Sequence, residues 1–238
     1  MRKERFGSLS ARVTGGADGR GAGEGPVVVL LHGFGAPGDD LVDLAHFLRV
    51  PSGVRFVFPE APLLLDGGPG RAWWMLDMAL FERRMRGEVI DRSGEVPDAL
   101  PALREQLLES LVEIETRLGV RRKQLVLGGF SQGSMLACDA TLHADEKPAG
   151  LILLSSTLIA HPIWSARMAS CRGLPVLQTH GQRDAILAYA DAERLRALWI
   201  EAGADLTFVG FPGGHELPPV ALDAAASFIE KTTRRSEA

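Results

Sequence analysis

A serine hydroxyl attacks a carbonyl only when a base takes its proton and an acid orients that base. Ser131 stands at the centre of Gly129-Phe130-Ser131-Gln132-Gly133. An apolar run at 125–127 precedes it and a helical pattern, Ser134 to Leu142, follows. Strand, sharp turn and helix together form the setting in which G-x-S-x-G presents a strained, exposed hydroxyl. Glycines belong on either side of it because larger side chains two residues away would collide with neighbouring backbone. The competing reading is a serine that merely N-caps a helix. His215, in Gly213-Gly214-His215-Glu216, follows the run 206–211 and is the candidate base; Asp184, after the run 176–179, is the candidate acid. The nearest rival acids are Asp191, which begins a helix and reads as a cap, and Asp205, which precedes a strand instead of following one. His46 and His143 fall within helical runs and His161 beside Pro162, so all three read as surface or packing residues. His180 ends a strand but is too early in the chain to be the base.

Acyl transfer also needs donors for the oxygen that becomes negative in the tetrahedral intermediate. The amide of Gln132, directly after the serine, is one candidate. The second is the amide of Phe34, on the turn Leu31-His32-Gly33-Phe34-Gly35, where His32 is expected to brace the loop and not to react. The alternative is a plain strand-to-helix turn whose glycines only relieve crowding. Trp73 and Trp74, beside Phe34 and Leu187, are candidates to line an apolar substrate pocket, with core packing as the bland alternative. Met75, Met78 and Met85 read as core or cover filler. The 76–97 segment, longer and more charged than a minimal connection, could form a partial cover.

These residues need elements that carry them. Short aliphatic runs at 27–31, 54–58, 125–127, 151–154, 176–179 and 206–211 suit strands buried on both faces of a parallel sheet. Between them, Leu100, Leu103, Leu107, Leu111, Ile114 and Leu118 mark a helix that Gly119 stops. Further stripes lie at 192–202 and, with Pro218 and Pro219 near its start, at 222–229. The alternation implies one α/β domain with a mostly parallel central sheet and helices on both faces, functional loops lying at the strands' carboxyl ends. The glycine-rich stretch 15–25 reads as a flexible surface loop, since its glycines disfavour helix and strand.

With 26 basic and 30 acidic side chains, the chain lacks the basic footprint of a nucleic-acid binder. The clusters Arg83-Arg84 with Arg86, and Arg121-Arg122-Lys123, read as solvated helix ends and turns. No apolar run is long enough for a signal peptide or a bilayer span, so no stable membrane anchoring is expected. Cys138 and Cys171 make no disulfide framework and have no metal-site spacing; reduced thiols in a cytoplasmic protein are expected, Cys138 as a buried filler.

At this point the residues resemble the bacterial carboxylesterases and acyl-protein thioesterase-like lysophospholipases, the phospholipase/carboxylesterase family of the α/β-hydrolase superfamily. The likeness runs from Val27 to the C-terminus. It rests on Leu31-His32-Gly33-Phe34-Gly35, Pro59-Glu60-Ala61-Pro62, Arg71-Ala72-Trp73-Trp74, Leu127-Gly128-Gly129-Phe130-Ser131-Gln132-Gly133 and Leu177-Gln178-Thr179-His180-Gly181-Gln182-Arg183-Asp184. It implies an α/β-hydrolase fold, with residues 1–26 an N-terminal strand and Gly-rich loop and 27–238 the catalytic domain. It assigns the triad to Ser131, Asp184 and His215, in the order usual for that fold. The implied reaction is hydrolysis of short- to medium-chain acyl esters without a cofactor or metal. Thioesters or lysophospholipids at the same site, and a non-catalytic ligand-binding homologue, are the alternatives. The partner expected is a small-molecule acyl ester; a homodimer is left open. Two departures stand out: Ser155-Ser156-Thr157 replaces a stretch that commonly carries an aromatic residue, which bears on pocket shape. Gly181-Gln182-Arg183-Asp184 replaces Gly-Asp-x-Asp, which bears on loop electrostatics.

Overall fold

The computed structural model describes residues 1–86, 88 and 90–237. The strands are β1 (Arg2–Phe6), β2 (Leu9–Gly16), β3 (Arg20–Ala22), β4 (Val27–Leu31), β5 (Arg55–Pro59), β6 (Leu63–Leu64), β7 (Arg71–Ala72), β8 (Leu125–Phe130), β9 (Gly150–Leu154), β10 (Pro175–Gly181) and β11 (Asp205–Phe211). The helices are α1 (Leu44–Phe47), α2 (Met78–Met85), α3 (Leu100–Leu118), α4 (Gln132–His143), α5 (His161–Met168), α6 (Tyr189–Glu201) and α7 (Pro219–Glu237). Among the described residues one large sheet runs β1-β2-β5-β4-β8-β9-β10-β11, with β3 beside β2. From β5 to β11 every pairing is parallel, and β1–β2 and β2–β5 are antiparallel. The mostly parallel sheet expected from the apolar runs is therefore present.

Side chains alternate across each strand, so single runs feed two cores. Val27, Val29, Leu31, Leu125, Leu127, Leu151 and Leu153 pack with Leu107, Leu111 and Ile114 of α3, Leu136 of α4, Trp164 of α5 and Trp199 of α6. Val28, Leu30, Val126, Ile152 and Leu154 face the other way, against Leu44 of α1 and Ala225, Phe228 and Ile229 of α7. α3 ends where its sequence says it must: Gly119 is left-handed at φ 61°, and its N–H caps the Glu115 carbonyl.

The 15–25 stretch is not a loop throughout. β2 continues to Gly16, β3 spans Arg20–Ala22, and residues 1–26 add three strands to the same sheet. The register shifts at Gly15/Gly16, where both residues have positive φ and a Cβ would strike the carbonyls of Val54 and Ala22. Glycine here makes a bulge under close backbone approach, which a propensity argument does not see. The basic clusters need a correction as well. Arg83 and Arg86 are exposed and pair with Glu88 and Glu82, but Arg122 is buried in an ion pair with Glu115.

Arg55, on β5, is a buried cation whose hydrogen bonds among the described residues go to carbonyls: it donates to Gly25 (2.9 Å) and to Leu118 at the end of α3 (2.6 Å). Arg55→Met should strand those acceptors. We expect it to lower stability by about 2–3 kcal/mol in a urea titration.

Candidate active site

Ser131 is placed by a steric constraint. β8 ends at Phe130 and α4 starts at Gln132, so the single residue between them turns the chain at φ 54°, ψ −121°. A Cβ at Gly129 would lie 2.6 Å from the Gly133 carbonyl carbon and 2.7 Å from the Leu31 oxygen. One at Gly133 would strike the Leu31 and His32 oxygens. The glycines therefore relieve a real backbone collision, and the serine carries the strain. Its N–H is anchored on Leu154 O at 2.9 Å.

The loops after β10 and β11 are zipped together: Gln182 N donates to Phe211 O (2.8 Å) and Arg183 N to Gly213 O (2.9 Å). The Arg183 guanidinium adds a bond to Pro212 O at 2.5 Å. This brings His215 to Asp184, with Nδ1 2.7 Å from Oδ2. The other carboxylate oxygen, Oδ1, accepts the amides of Ile186 and Leu187, each at 2.8 Å. With Nδ1–H given to Asp184, Nε2 of His215 is the ring nitrogen left with a lone pair, the one that could accept a proton. The ring sits 4.8 Å from that of Phe130, and His215 and Ser131 line one cavity. Burial of Asp184 pushes its carboxyl up, but the hydrogen bond and charge of His215, the Leu187 amide and His180 outweigh it and hold the group below its ordinary value.

The Phe34 turn lies against the serine: a Cβ on Gly33 would be 3.3 Å from Ser131 Cβ. Gly35 N donates to Arg71 O and Arg71 N to Ala36 O, strapping the turn to β7. His32 braces it from below. Ala61 N donates to its Nε2 at 3.0 Å, so Nδ1 carries the proton, 2.8 Å from Gly33 O. Gln132, as the first residue of α4, has an amide with no acceptor inside the helix.

Gln132 does a second thing the sequence did not reveal. Its Oε1 accepts Trp73 N at 2.9 Å and its Nε2 donates to Trp74 O at 2.8 Å. The two tryptophans are thereby split. Trp73 is buried, with Nε1 on His32 O (2.9 Å) and its ring 5.6 Å from His32, and it is not on the cavity wall. The expectation that Trp73 lines the pocket is corrected: its indole N–H needs a buried acceptor, and the core supplies one. Trp74 and Leu187 do line the cavity, together with Leu76, Pro97, Met135 and Ile159. The last four were not singled out from the sequence, because nothing local distinguishes an apolar wall from an apolar core.

The cavity measures about 190 Å³. Leu76, Arg92 and Pro97 bring the 76–97 segment onto its wall. Arg194 of α6 holds that segment through Asp91 (2.9 Å) and Ser93 Oγ (2.8 Å), and Ala160 N donates to Glu95 O. Of the expected core or cover filler, Met75 and Met78 are not core: they are 60% and 49% exposed. Gly87, Val89 and the side chain of Met85 lie outside the described residues. Ser155, Ser156 and Thr157 are fully buried and do not line the cavity, so that departure does not shape the pocket wall directly.

The rival residues are occupied elsewhere. Asp191 pairs with Arg194 within α6, past the N-cap, and Asp205 pairs with Arg235. His46 is exposed, while His143 is packed between Asp139 and Arg104. Cys138 and Cys171 are both buried, and burial pushes the Cys138 thiol well up. Among the described residues no group of three His, Cys, Asp or Glu side chains is placed to hold a metal ion, and no helix is long and apolar enough to cross a membrane.

A strained serine at a strand-to-helix turn, with a hydrogen-bonded acid and histidine on the loops after later strands, defines an α/β-hydrolase of the serine hydrolase class. Residues 20–233 match the model of the phospholipase/carboxylesterase family, and the chain belongs to that family. It is 26% identical over 218 residues to an acyl-protein thioesterase 1 of Aspergillus fumigatus, covering 86% of each chain. It is also 26% identical to lysophospholipase-like protein 1 of Mus musculus, covering 85% of this chain and 84% of that one. Among solved structures, esterase PE8 superposes with a TM-score of 0.78 at 28% identity, covering 94% of this chain and 99% of that one. The Bacillus cereus carboxylesterase, at 20% identity and a TM-score of 0.71 over 94% and 95% of the two chains, shares the fold.

Burial pushes both His32 and His180 below the usual histidine range. As pH falls below about 6.5, the unfolded chain takes up protons at these positions that the fold refuses. The stability present above that value is therefore lost toward the lowered folded values. Urea midpoints should be lower at about pH 5.5 than at about pH 7.5.

Proposed function

We propose that the protein is a serine carboxylesterase acting on short- to medium-chain acyl esters, with Ser131 as nucleophile, His215 as general base and Asp184 as the orienting acid. The observation that carries this reading is the 2.7 Å bond from His215 Nδ1 to Asp184 Oδ2, beside a serine held at φ 54° in the same apolar cavity. In this mechanism His215 takes the Ser131 proton as Oγ attacks the acyl carbon. The amides of Phe34 and Gln132 receive the oxyanion. His215 then protonates the leaving alcohol, and an acyl-Ser131 ester remains. Water, deprotonated by His215, attacks that ester and releases the acid.

A cavity of about 190 Å³ is smaller than the roughly 300–1,000 Å³ typical of drug-sized sites, which favours the shorter acyl groups. A second reading, thioester hydrolysis at the same site, is favoured by the relatives named acyl-protein thioesterase 1. Thioesters and oxyesters make the same demands on nucleophile and oxyanion donors, so the pocket must discriminate.

Incubation with a fluorophosphonate probe should label wild-type protein at Ser131, and a chromogenic short-chain ester should turn over. Ser131→Ala should abolish both. Asp184→Asn should lower turnover by about 10⁴ while leaving the fold intact. Absence of labelling and turnover in the wild type would refute the enzyme reading; a fully active Ser131→Ala would refute the nucleophile. A series of oxyesters and thioesters of increasing chain length decides between the two substrate readings.

A further inference from the structure

The carboxylate of Asp184 is fully buried, and among the described residues neither lysine nor arginine pairs with it. Its charge is carried by N–H groups: two amides at Oδ1, His215 at Oδ2, and a second imidazole. That imidazole is His180, on β10, with no exposed surface. Its Nε2 lies 2.8 Å from Leu187 O and 3.4 Å from Asp184 Oδ2. Both neighbours are acceptors, so Nε2 carries the ring proton. Nδ1 has no hydrogen-bond partner among the described residues. The groups facing the ring are Asp184, His215 and, from α6, Tyr189 at 6.1 Å between centroids. Burial pushes the ring toward its neutral form, the Leu187 carbonyl, Asp184 and the Ser156 backbone pull the other way, and His215 adds to the first effect.

We propose that His180 is a positioning residue for Asp184: its Nε2–H bonds the Leu187 carbonyl and faces Oδ2, holding loop 184–187 so that Oδ2 stays directed at His215. Two hydrogen bonds and one close approach make a closed ring. Asp184 Oδ1 holds the Leu187 amide, the Leu187 carbonyl holds His180, and His180 lies against Asp184. Opening that ring at the imidazole frees the carboxylate to rotate away from His215, although every atom that touches substrate is still present. This inference rests on the reading of Ser131, His215 and Asp184 as a triad.

The test compares His180→Phe, which keeps a ring and loses the N–H, with His180→Gln, which keeps an N–H donor. With a short-chain ester, His180→Phe should lose roughly 10- to 100-fold in kcat with KM little changed, and His180→Gln should recover most of the loss. The low-field proton of the His215–Asp184 hydrogen bond, seen by NMR in the wild type, should shift in His180→Phe. Wild-type kcat in His180→Phe, or an equal loss in both variants with that proton unmoved, overturns the proposal. Ring ¹⁵N spectra of the unmutated protein give a reading that does not depend on a variant folding: a proton on Nε2 of His180 supports it, and a bare Nε2 refutes it. If fluorophosphonate fails to label wild-type Ser131, it is the triad assignment that falls, and the ¹⁵N measurement still decides the contact.

Discussion

α4 begins so close to the end of β4 that the chain leaving β8 has one residue in which to reverse. Leu31 and Gly129 are register partners in the sheet, and the Leu31 carbonyl occupies the space that a side chain at either Gly129 or Gly133 would need. With glycine on both sides, the left-over dihedral strain falls on Ser131, which keeps its side chain at the tip of the turn. The same approach sets the Phe34 turn beside the serine, because that turn is simply the continuation of β4. Proposed nucleophile and proposed oxyanion donors are thus located by one backbone contact between neighbouring parallel strands.

The other half of the site is organised electrostatically. A carboxylate taken out of water needs compensating partners. Here the compensation comes from two amides of the residue's own loop at Oδ1 and from two imidazoles that both face Oδ2. None of these is a permanent cation, so the proposed acid faces His215 with no fixed positive group paired to it among the described residues. The zipped loops after β10 and β11 supply the rigidity that such a short hydrogen bond needs.

The sheet was legible because buried parallel strands read as continuous apolar runs, and 100–118 because its stripe ends in a glycine free to turn left-handed. The triad candidates were legible because each lies just past a strand, where the topology puts functional loops. What escaped was whatever depends on contacts between distant segments. Gly15 and Gly16 look like linker and act as a bulge, since the carbonyls that exclude a Cβ come from Val54 and Ala22. Trp73 and Trp74 are indistinguishable in sequence; only the acceptor offered by His32 sends one indole into the core. His180 was set aside for being too early to be the base, and nothing local shows that it reaches Leu187 and Asp184.

The Gln132 clamp has a consequence for remodelling the protein. In the proposed mechanism one residue offers its amide to the oxyanion, and its carboxamide holds the backbone at Trp73 and Trp74. Reshaping the Trp74 wall by moving its backbone would therefore drag on the very residue that follows the serine. Selectivity can be altered with less of that penalty through walls distant in sequence from the clamp, such as Ile159 and Pro97. The cavity thus has one face that is mechanically part of the proposed reaction centre and another that is freer to vary, and new substrate preferences have chiefly the second to work with.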